Sequence, residues 1–258
     1  MISAVYCRVV RWLQGMGRLT LFGKEVLWAV LGQRTRGGQL TYQLYFLGVK
    51  SQTVVLVTGA FTGMVLAAQT YFQFHKVRMD TATLAVVSVS MCSELGPVLT
   101  ALMVAGRVGA ALAAELGTMR VTEQIDALRT LATHPIDYLV LPRMLAIVLA
   151  MPLLTAESIT VGVGSGYAVA VGFLNIDPSY TWHNMVNYTS PEDALMGLIK
   201  AVVYGAMIGL ISCYKGMHCR EGAEGVGRAT TEAVVYSSIT ILVSNFFLTL
   251  SLNRLLHT

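Results

Sequence analysis

Charged side chains are scarce in this chain of 258 residues, of which only 12% are Asp, Glu, Lys or Arg. Soluble domains carry about 25% of such residues. Hydrophobic residues reach 55%, the mean hydropathy is +0.62, and apolar runs of about 20 residues, long enough to cross a membrane, recur along the chain. The short alternating segments of a transmembrane β-barrel are missing. The composition therefore excludes an ordinary soluble domain and predicts an all-α polytopic membrane protein.

Catalytic and metal-binding signatures are missing as well. The chain contains no GxSxG, HExxH or P-loop sequence, and its five histidines are not at metal-ligand spacing to one another. Its four cysteines, Cys7, Cys92, Cys213 and Cys219, form no CxxC pair, and we interpret them as small apolar packing residues. We therefore expect no catalytic residue, no metal and no cofactor in this chain, and no nucleic-acid partner.

Five segments are apolar and long enough to be transmembrane helices. The second and third contain proline and would each reach roughly 50 Å at 1.5 Å per residue, which predicts kinks, tilt or an extension beyond the membrane. The predicted spans are about Thr53–Tyr71, Leu84–Leu116, Leu139–Phe173, Ala194–Tyr214 and Thr231–Leu252.

The N-terminal segment mixes basic and aromatic side chains and lacks the single apolar core of a signal peptide. This mixture is typical of a helix lying in the membrane interface. The alternative is a solvated helix whose aromatic residues are covered by protein. We divide the chain into an interfacial segment, residues 1–50, and a five-span domain, residues 51–258. The residues that carry the pattern are Arg8, Arg11, Arg18, Lys24, Arg34 and Arg36 with Trp12, Leu13, Leu19, Phe22, Leu27 and Trp28.

Lys and Arg are absent from residues 175–193, which carry Asp177, Glu192 and Asp193 instead. If the N-terminus is cytoplasmic, most of the 18 basic residues of the chain fall on the cytoplasmic side. Cytoplasmic loops of membrane proteins are enriched in Lys and Arg. The sequence therefore predicts a cytoplasmic N-terminus and a periplasmic C-terminus.

Glu94 lies close to the middle of the second predicted span, and Leu95, Gly96 and Pro97 follow it. A charge at that depth is costly, and a broken helix is tolerated there only where protein or a cavity satisfies the freed backbone groups. We therefore expect a helix break after Glu94. Two roles remain open from the residues alone, namely a polar point in an internal cavity and a protonated or hydrogen-bonded structural glutamate.

Other charged residues within the predicted spans should find partners on neighbouring helices. Glu157 and Lys200 both fall in the outer half of their spans, and we predict that they pair or share a water network. Arg107 and Glu115 share one face of the second span but are too far apart to bond, so each should meet a partner on another helix. Glycines also recur four residues apart, which predicts close helix packing within or between protomers. These pairs are Gly59 and Gly63, Gly162 and Gly166, and Gly205 and Gly209.

A short amphipathic helix is predicted between the second and third spans, at about residues 121–132. Thr122 is its predicted N-cap, and Pro135 should end it. Its charged face, with Glu123, Asp126 and Arg129, disfavours an anionic lipid surface. An apolar stripe beside such a face indicates a helix that fits the groove of a cytoplasmic partner. The stripe consists of Val121, Ile125, Leu128 and Leu131.

Several blocks of this sequence resemble the MlaE (YrbE) permease family. They are SELGPV at 93–98, AGRVGAALAAELGTM at 105–119, TEQIDAL at 122–128, PRMLA at 142–146 and GRATT at 227–231. The resemblance implies a homodimeric permease of the bacterial inner membrane with an N-terminal interfacial helix and five spans. It also implies cytoplasmic ABC ATPase subunits that use ATP and Mg, small STAS-domain proteins in many cases, and a periplasmic ring of MCE-domain proteins.

The substrate that the resemblance implies is a phospholipid moved between inner and outer membranes, which maintains the lipid asymmetry of the outer membrane. The alternatives are a permease for another lipid class, such as sterols or fatty acids, and an intramembrane enzyme that uses Glu94. Many family members carry Arg immediately before this glutamate, where this chain has Ser93, so Glu94 must find another cation or stay neutral. Glu232 likewise stands where many relatives have a basic residue.

The family also suggests residue roles. The candidate residues for substrate binding are Glu94, Ser93, Leu99, Gln69 and Tyr71. The candidate residues for coupling to the ATPase are Glu123, Gln124, Ile125, Asp126, Leu128 and Arg129.

Overall fold

The computed structural model describes residues 15, 17–30, 37–220 and 222–256, and every regular element in this part of the chain is helical. Part of the predicted interfacial segment lies outside the described residues, namely Arg8, Arg11, Trp12, Leu13, Arg34 and Arg36. Cys7 lies outside them as well. The elements are α1 (17–30), α2 (Gly38–His75), α3 (Asp80–Val121), α4 (Gln124–Thr130), α5 (Ile136–Gly172), α6 (Pro178–Tyr188), α7 (Pro191–Met217) and α8 (Gly222–Leu256).

Five of these helices, α2, α3, α5, α7 and α8, are long and apolar enough to cross a membrane. This confirms the five predicted spans. Each helix begins before its predicted first residue, by three residues in α5 and α7 and by fifteen in α2, because hydropathy marks only the most apolar part of a helix. The chain is therefore a multi-pass membrane protein.

The predicted helix break after Glu94 is wrong, because α3 continues through Gly96 and Pro97. A wider π-helical turn at Met91–Leu95 precedes the proline, and the Gly96 N–H bonds the Met91 carbonyl across it. A second such turn lies at Ala105–Gly109. A π-helical turn inserts one extra residue into a helix, and the turn at Met91–Leu95 lets α3 accommodate Pro97 without ending.

Glycines allow α2 and α5 to touch along their backbones. A methyl group on Gly63 would overlap the carbonyl of Gly162, and one on Gly59 would crowd Ser158. Gly166 faces Gly63 in turn. The predicted close packing is thus confirmed within a single chain, and the glycines of α7 serve the same purpose. Gly205 and Gly209 lie against Ile147, Met151 and Met144 of α5.

One apolar cluster joins α1 to α4. Phe22 and Val26 of α1 pack together with Ile125 of α4, beside buried residues of α5 and α7. The opposite side of α1 exposes large apolar side chains, and Trp28 is 67% exposed. Helix α1 is therefore covered by protein on one face and exposes both apolar and charged side chains on the other.

The short helix α4 differs from its prediction at both ends. Thr122 is not its N-cap, because this residue ends α3 and its hydroxyl donates to the Thr118 carbonyl at 2.8 Å. Glu123 occupies the N-cap position in a left-handed conformation with φ 61° and caps no backbone group with its side chain. The helix ends at Thr130, and Ala132 is left-handed too, with φ 55°.

The predicted stripe does not form one partner-facing surface. Ile125 is 0% exposed and Leu128 is half-buried, and both pack in the cluster with α1. Leu131 is 74% exposed but lies beyond the end of α4, and Val121 belongs to α3. The apolar face of this short helix is used to attach it to its own chain, so its other face is the one exposed to solvent.

Candidate functional site

Glu94 of α3 and Lys200 of α7 form an ion pair between the spans. The Lys200 Nζ lies 2.7 Å from the Glu94 Oε1. The lysine side chain is 0% exposed, whereas the glutamate side chain is 34% exposed. The carboxylate is therefore the accessible partner, and the cation that the sequence left unassigned is Lys200.

The predicted pair of Glu157 and Lys200 is wrong. Glu157 of α5 faces α2 instead, where Gln52 Nε2 donates to its Oε1 at 2.8 Å. The rise per residue places two side chains at similar depth but says nothing about their direction around the helix axes.

Helix α8 completes the polar cluster around Glu94. Asn245 Nδ2 donates to Glu94 Oε2 at 3.0 Å, and Tyr204 of α7 donates its hydroxyl to Asn245 Oδ1 at 2.6 Å. Thr249 Oγ1 lies 2.7 Å from Glu94 Oε1 and 2.8 Å from Lys200 Nζ. The sequence analysis missed Asn245, Thr249 and Tyr204. The signal was present, because Asn245 and Thr249 are polar residues four positions apart in an apolar span and share a face.

The backbone before Pro97 provides a hydrogen-bond acceptor for Lys200. Pro97 has no N–H to give to the Ser93 carbonyl four residues earlier. Lys200 Nζ donates to that carbonyl instead, at 2.9 Å. Gly197, one turn before Lys200, brings α7 into contact with the Cys92 carbonyl, where a methyl group would overlap. The sequence Gly-Pro after Glu94 therefore provides an acceptor for the buried ammonium.

Both charges of the ion pair have hydrogen-bond partners, but they differ in exposure. The enclosed ammonium of Lys200 has Glu94, the Ser93 carbonyl and the Thr249 hydroxyl within bonding distance. A buried charge with such partners is stable, whereas the same charge without them would be costly. Glu94 keeps an open side, so it can offer a fixed carboxylate oxygen to a polar group that enters between the helices.

The other candidate residues for substrate binding do not gather around Glu94. Ser93 is adjacent, but its hydroxyl donates to the Val89 carbonyl at 2.7 Å. Leu99 is half-buried on α3. Gln69 is exposed on α2, and Tyr71 stacks against His75 at a ring distance of 5.2 Å. Among the described residues, no hydrogen bond or ring contact connects Gln69 or Tyr71 to Glu94.

Arg107 and Glu115 meet partners on other helices, as predicted. Arg107 Nη1 donates to the hydroxyl of Ser51 on α2. Glu115 pairs with Arg143 of α5 at 3.1 Å, and the arginine is buried. Both contacts fasten α3 to a neighbouring span.

Some of the charged side chains of α4 form ion pairs within the chain. Asp126 accepts from Arg120 at 2.7 Å and from Arg129 at 3.0 Å. Glu123 and Gln124 are exposed at the start of the helix. In the described part of the chain, no three His, Cys, Asp or Glu side chains come together in a way that could hold a metal ion.

Comparisons with known proteins extend over nearly the whole bundle. Residues 40–251 match the sequence profile of a family described as Permease MlaE. A probable ABC transporter permease protein of Rickettsia bellii is 45% identical over 242 residues, which cover 94% of this chain and 93% of that protein. The intermembrane phospholipid transport system permease protein MlaE of Haemophilus influenzae is 37% identical, with 96% and 95% covered. The chloroplastic protein TRIGALACTOSYLDIACYLGLYCEROL 1 of Arabidopsis thaliana is 38% identical over 87% of this chain and 64% of that protein.

Proposed function

The chain belongs to the Permease MlaE family, and we propose that it forms the membrane path of an ATP-driven transporter that moves phospholipids between two membranes. The observation that carries this proposal is the Glu94–Lys200 pair between the spans, in which the lysine is enclosed and the glutamate is accessible from one side. The printed name of the Haemophilus influenzae relative, which specifies intermembrane phospholipid transport, supports the substrate class.

The path is proposed to run beside Glu94. A phospholipid combines acyl chains with a polar headgroup, so its passage needs an apolar wall with a few fixed polar groups. Glu94 supplies an oxygen that can accept from a headgroup hydroxyl or ammonium. Lys200 is enclosed, so its role is to balance the charge of the carboxylate and to orient it rather than to touch the lipid.

A second copy of the chain is proposed to close this path. Helix α8 carries Asn245 and Thr249 toward Glu94 and exposes an apolar face beside them. An exposed face of this kind must be covered by lipid or by protein. A homodimer that places two such faces opposite each other would enclose the open side of Glu94. The face consists of Val235, Ile239, Leu242, Val243, Phe246 and Leu250.

A cytoplasmic ABC ATPase is the proposed source of energy, with ATP and Mg bound in that partner. Helix α4 is the proposed docking element, and its outward residues Glu123 and Gln124 are the proposed contacts. Ile125 and Leu128 transmit movement, because they connect α4 to α1 and to the spans.

The distribution of Lys and Arg supports a cytoplasmic N-terminus, which places α1 and α4 at the inner surface. We further propose the bacterial inner membrane as the location, with a periplasmic ring of MCE-domain proteins and a small STAS-domain protein as additional partners. These assignments rest on the family alone.

The phospholipid content of the purified complex tests the proposal. The permease is purified with its ATPase, and extracted lipid is quantified for the wild type and for Glu94→Leu. Bound phospholipid that is lost in Glu94→Leu, while the ATPase still co-purifies, supports the path beside Glu94. A wild-type complex without bound phospholipid would refute it.

A further inference from the structure

A cavity of about 760 Å³ lies between α1, the end of α4 and the segment that follows it. It is separate from the Glu94 cluster, because its lining residues come from the end of the bundle where α1 packs. Phe22 closes one side of it, with its ring 5.7 Å from that of Tyr214. Arg18 and Glu25 of α1 line it opposite Arg129 and His134.

The cavity is predominantly basic. Three arginines, Arg18, Arg120 and Arg129, line it, against the single carboxylate of Glu25. Arg120 and Arg129 each use Nη1 to bind Asp126. Their Nη2 and Nε groups make no further hydrogen bond within the described residues, and they remain available for a ligand. A guanidinium fork of this kind matches the geometry of a phosphate group.

A second cavity continues from the basic one along α1. It has a volume of about 630 Å³ and shares Leu21, Glu25, His134 and Ile136 with the first, and it extends to Trp28 and Ala29 beside Lys24 and Asp137. Leu21 and Trp28 are exposed. Tryptophan is enriched at the membrane–water interface. Phosphate-binding groups beside these two exposed apolar side chains fit a lipid better than an acidic peptide, which would leave both side chains uncovered.

We propose that these joined cavities bind an anionic phospholipid of the cytoplasmic leaflet, with its phosphate among Arg18, Arg120 and Arg129 and an acyl chain along Leu21 and Trp28. The leaflet follows from the orientation given under the proposed function. The lipid would bridge α1 and the end of α4, which share the cluster around Ile125. Its binding would therefore hold the ATPase-docking helix in place, in a site separate from the transport path.

Trp28 provides a direct probe of this site. The chain has three tryptophans, Trp12, Trp28 and Trp182, so Trp12→Phe with Trp182→Phe leaves only Trp28. This variant is reconstituted in nanodiscs with brominated phosphatidylglycerol or brominated phosphatidylcholine, and quenching of its fluorescence is compared. We expect stronger quenching by phosphatidylglycerol. Because one arginine near an anionic lipid contributes about a fivefold preference, Arg18→Ala should reduce the preference about fivefold.

Lys50→Ala is the matched control, because Lys50 is an exposed cation on α2 that lines neither cavity. It should leave the preference unchanged. Equal quenching by both lipids in the starting variant, or an equal loss in Arg18→Ala and Lys50→Ala, would overturn the proposal. Loss of the preference when the ATPase is added would identify an acidic segment of that partner as the occupant and would overturn it too.

The measurement needs neither ATP nor transport. Selective quenching in a chain that transfers no phospholipid would refute the proposed function and leave this site standing. Unselective quenching in a chain that transfers phospholipid would refute this site and leave the proposed function standing.

Discussion

The ammonium of Lys200 lies 2.7 Å from the carboxylate of Glu94, and the lysine is wholly enclosed while the glutamate has an open side. The stability of the buried lysine therefore depends more on the glutamate than that of the glutamate depends on the lysine. Without Glu94 the ammonium cannot reach water, whereas without Lys200 the carboxylate retains Asn245, Thr249 and partial solvation.

This inequality predicts the order of stability in two variants. Glu94→Ala should lower the free energy of unfolding by about 3–5 kcal/mol, because it strands an enclosed charge. Lys200→Met should lower it by only about 1–3 kcal/mol. Reversible unfolding in mixed micelles measures both values. A larger loss in Lys200→Met than in Glu94→Ala would contradict the assignment of Lys200 as the enclosed partner.

The contact between α2 and α5 predicts a sharp difference between two glycines of similar depth. Gly63→Ala should destabilise the protein by about 1–3 kcal/mol, because its methyl group overlaps the Gly162 carbonyl and the helices must separate. Gly164→Ala is the control, since nothing lies within 4 Å of its added methyl group. Thermal unfolding of the purified chain distinguishes them. Equal effects of the two substitutions would show that α2 and α5 are not in backbone contact.

Opposite faces of α4 should respond differently to substitution. Ile125→Asp places a charge in the cluster with α1, and it should lower the melting temperature of the permease even without its ATPase. Gln124→Arg changes an exposed residue and should leave that temperature unchanged while weakening co-purification of the ATPase. The two readouts, melting temperature and subunit stoichiometry, are measured on the same preparations. Unaltered ATPase binding in Gln124→Arg would remove this residue from the docking surface.

The segment that follows α4 predicts a further stability effect. Ala132 adopts a left-handed backbone conformation, which costs about 1–2 kcal/mol in residues other than glycine. Ala132→Gly should therefore raise the melting temperature or leave it unchanged, despite the greater freedom of glycine in the unfolded chain. Ala127→Gly, in the interior of α4, is the comparison and should lower it. A lower melting temperature in Ala132→Gly would show that this backbone conformation is not adopted in the folded chain.

Hydropathy and glycine spacing were sufficient to predict the spans and their close contacts, because both properties are local in the sequence. The partners of Glu94 could not be found in this way. Lys200 and Thr249 are 106 and 155 residues away, and their directions depend on how three helices pack. The start of α4 was mispredicted for a different reason. Thr122 is a good N-cap by residue type, but its hydroxyl bonds within the preceding helix, and the left-handed Glu123 makes the turn.

ATP-dependent transfer of labelled phospholipid tests the central claim most directly. Proteoliposomes that contain the permease and its ATPase are mixed with acceptor vesicles, and transfer is compared for the wild type, Glu94→Leu and the control Gly164→Ala. The account predicts ATP-dependent transfer by the wild type and Gly164→Ala, and a loss of at least tenfold, about 1.4 kcal/mol, in Glu94→Leu with ATPase binding retained. Transfer by Glu94→Leu at the wild-type rate, in a complex of wild-type stoichiometry, would contradict it.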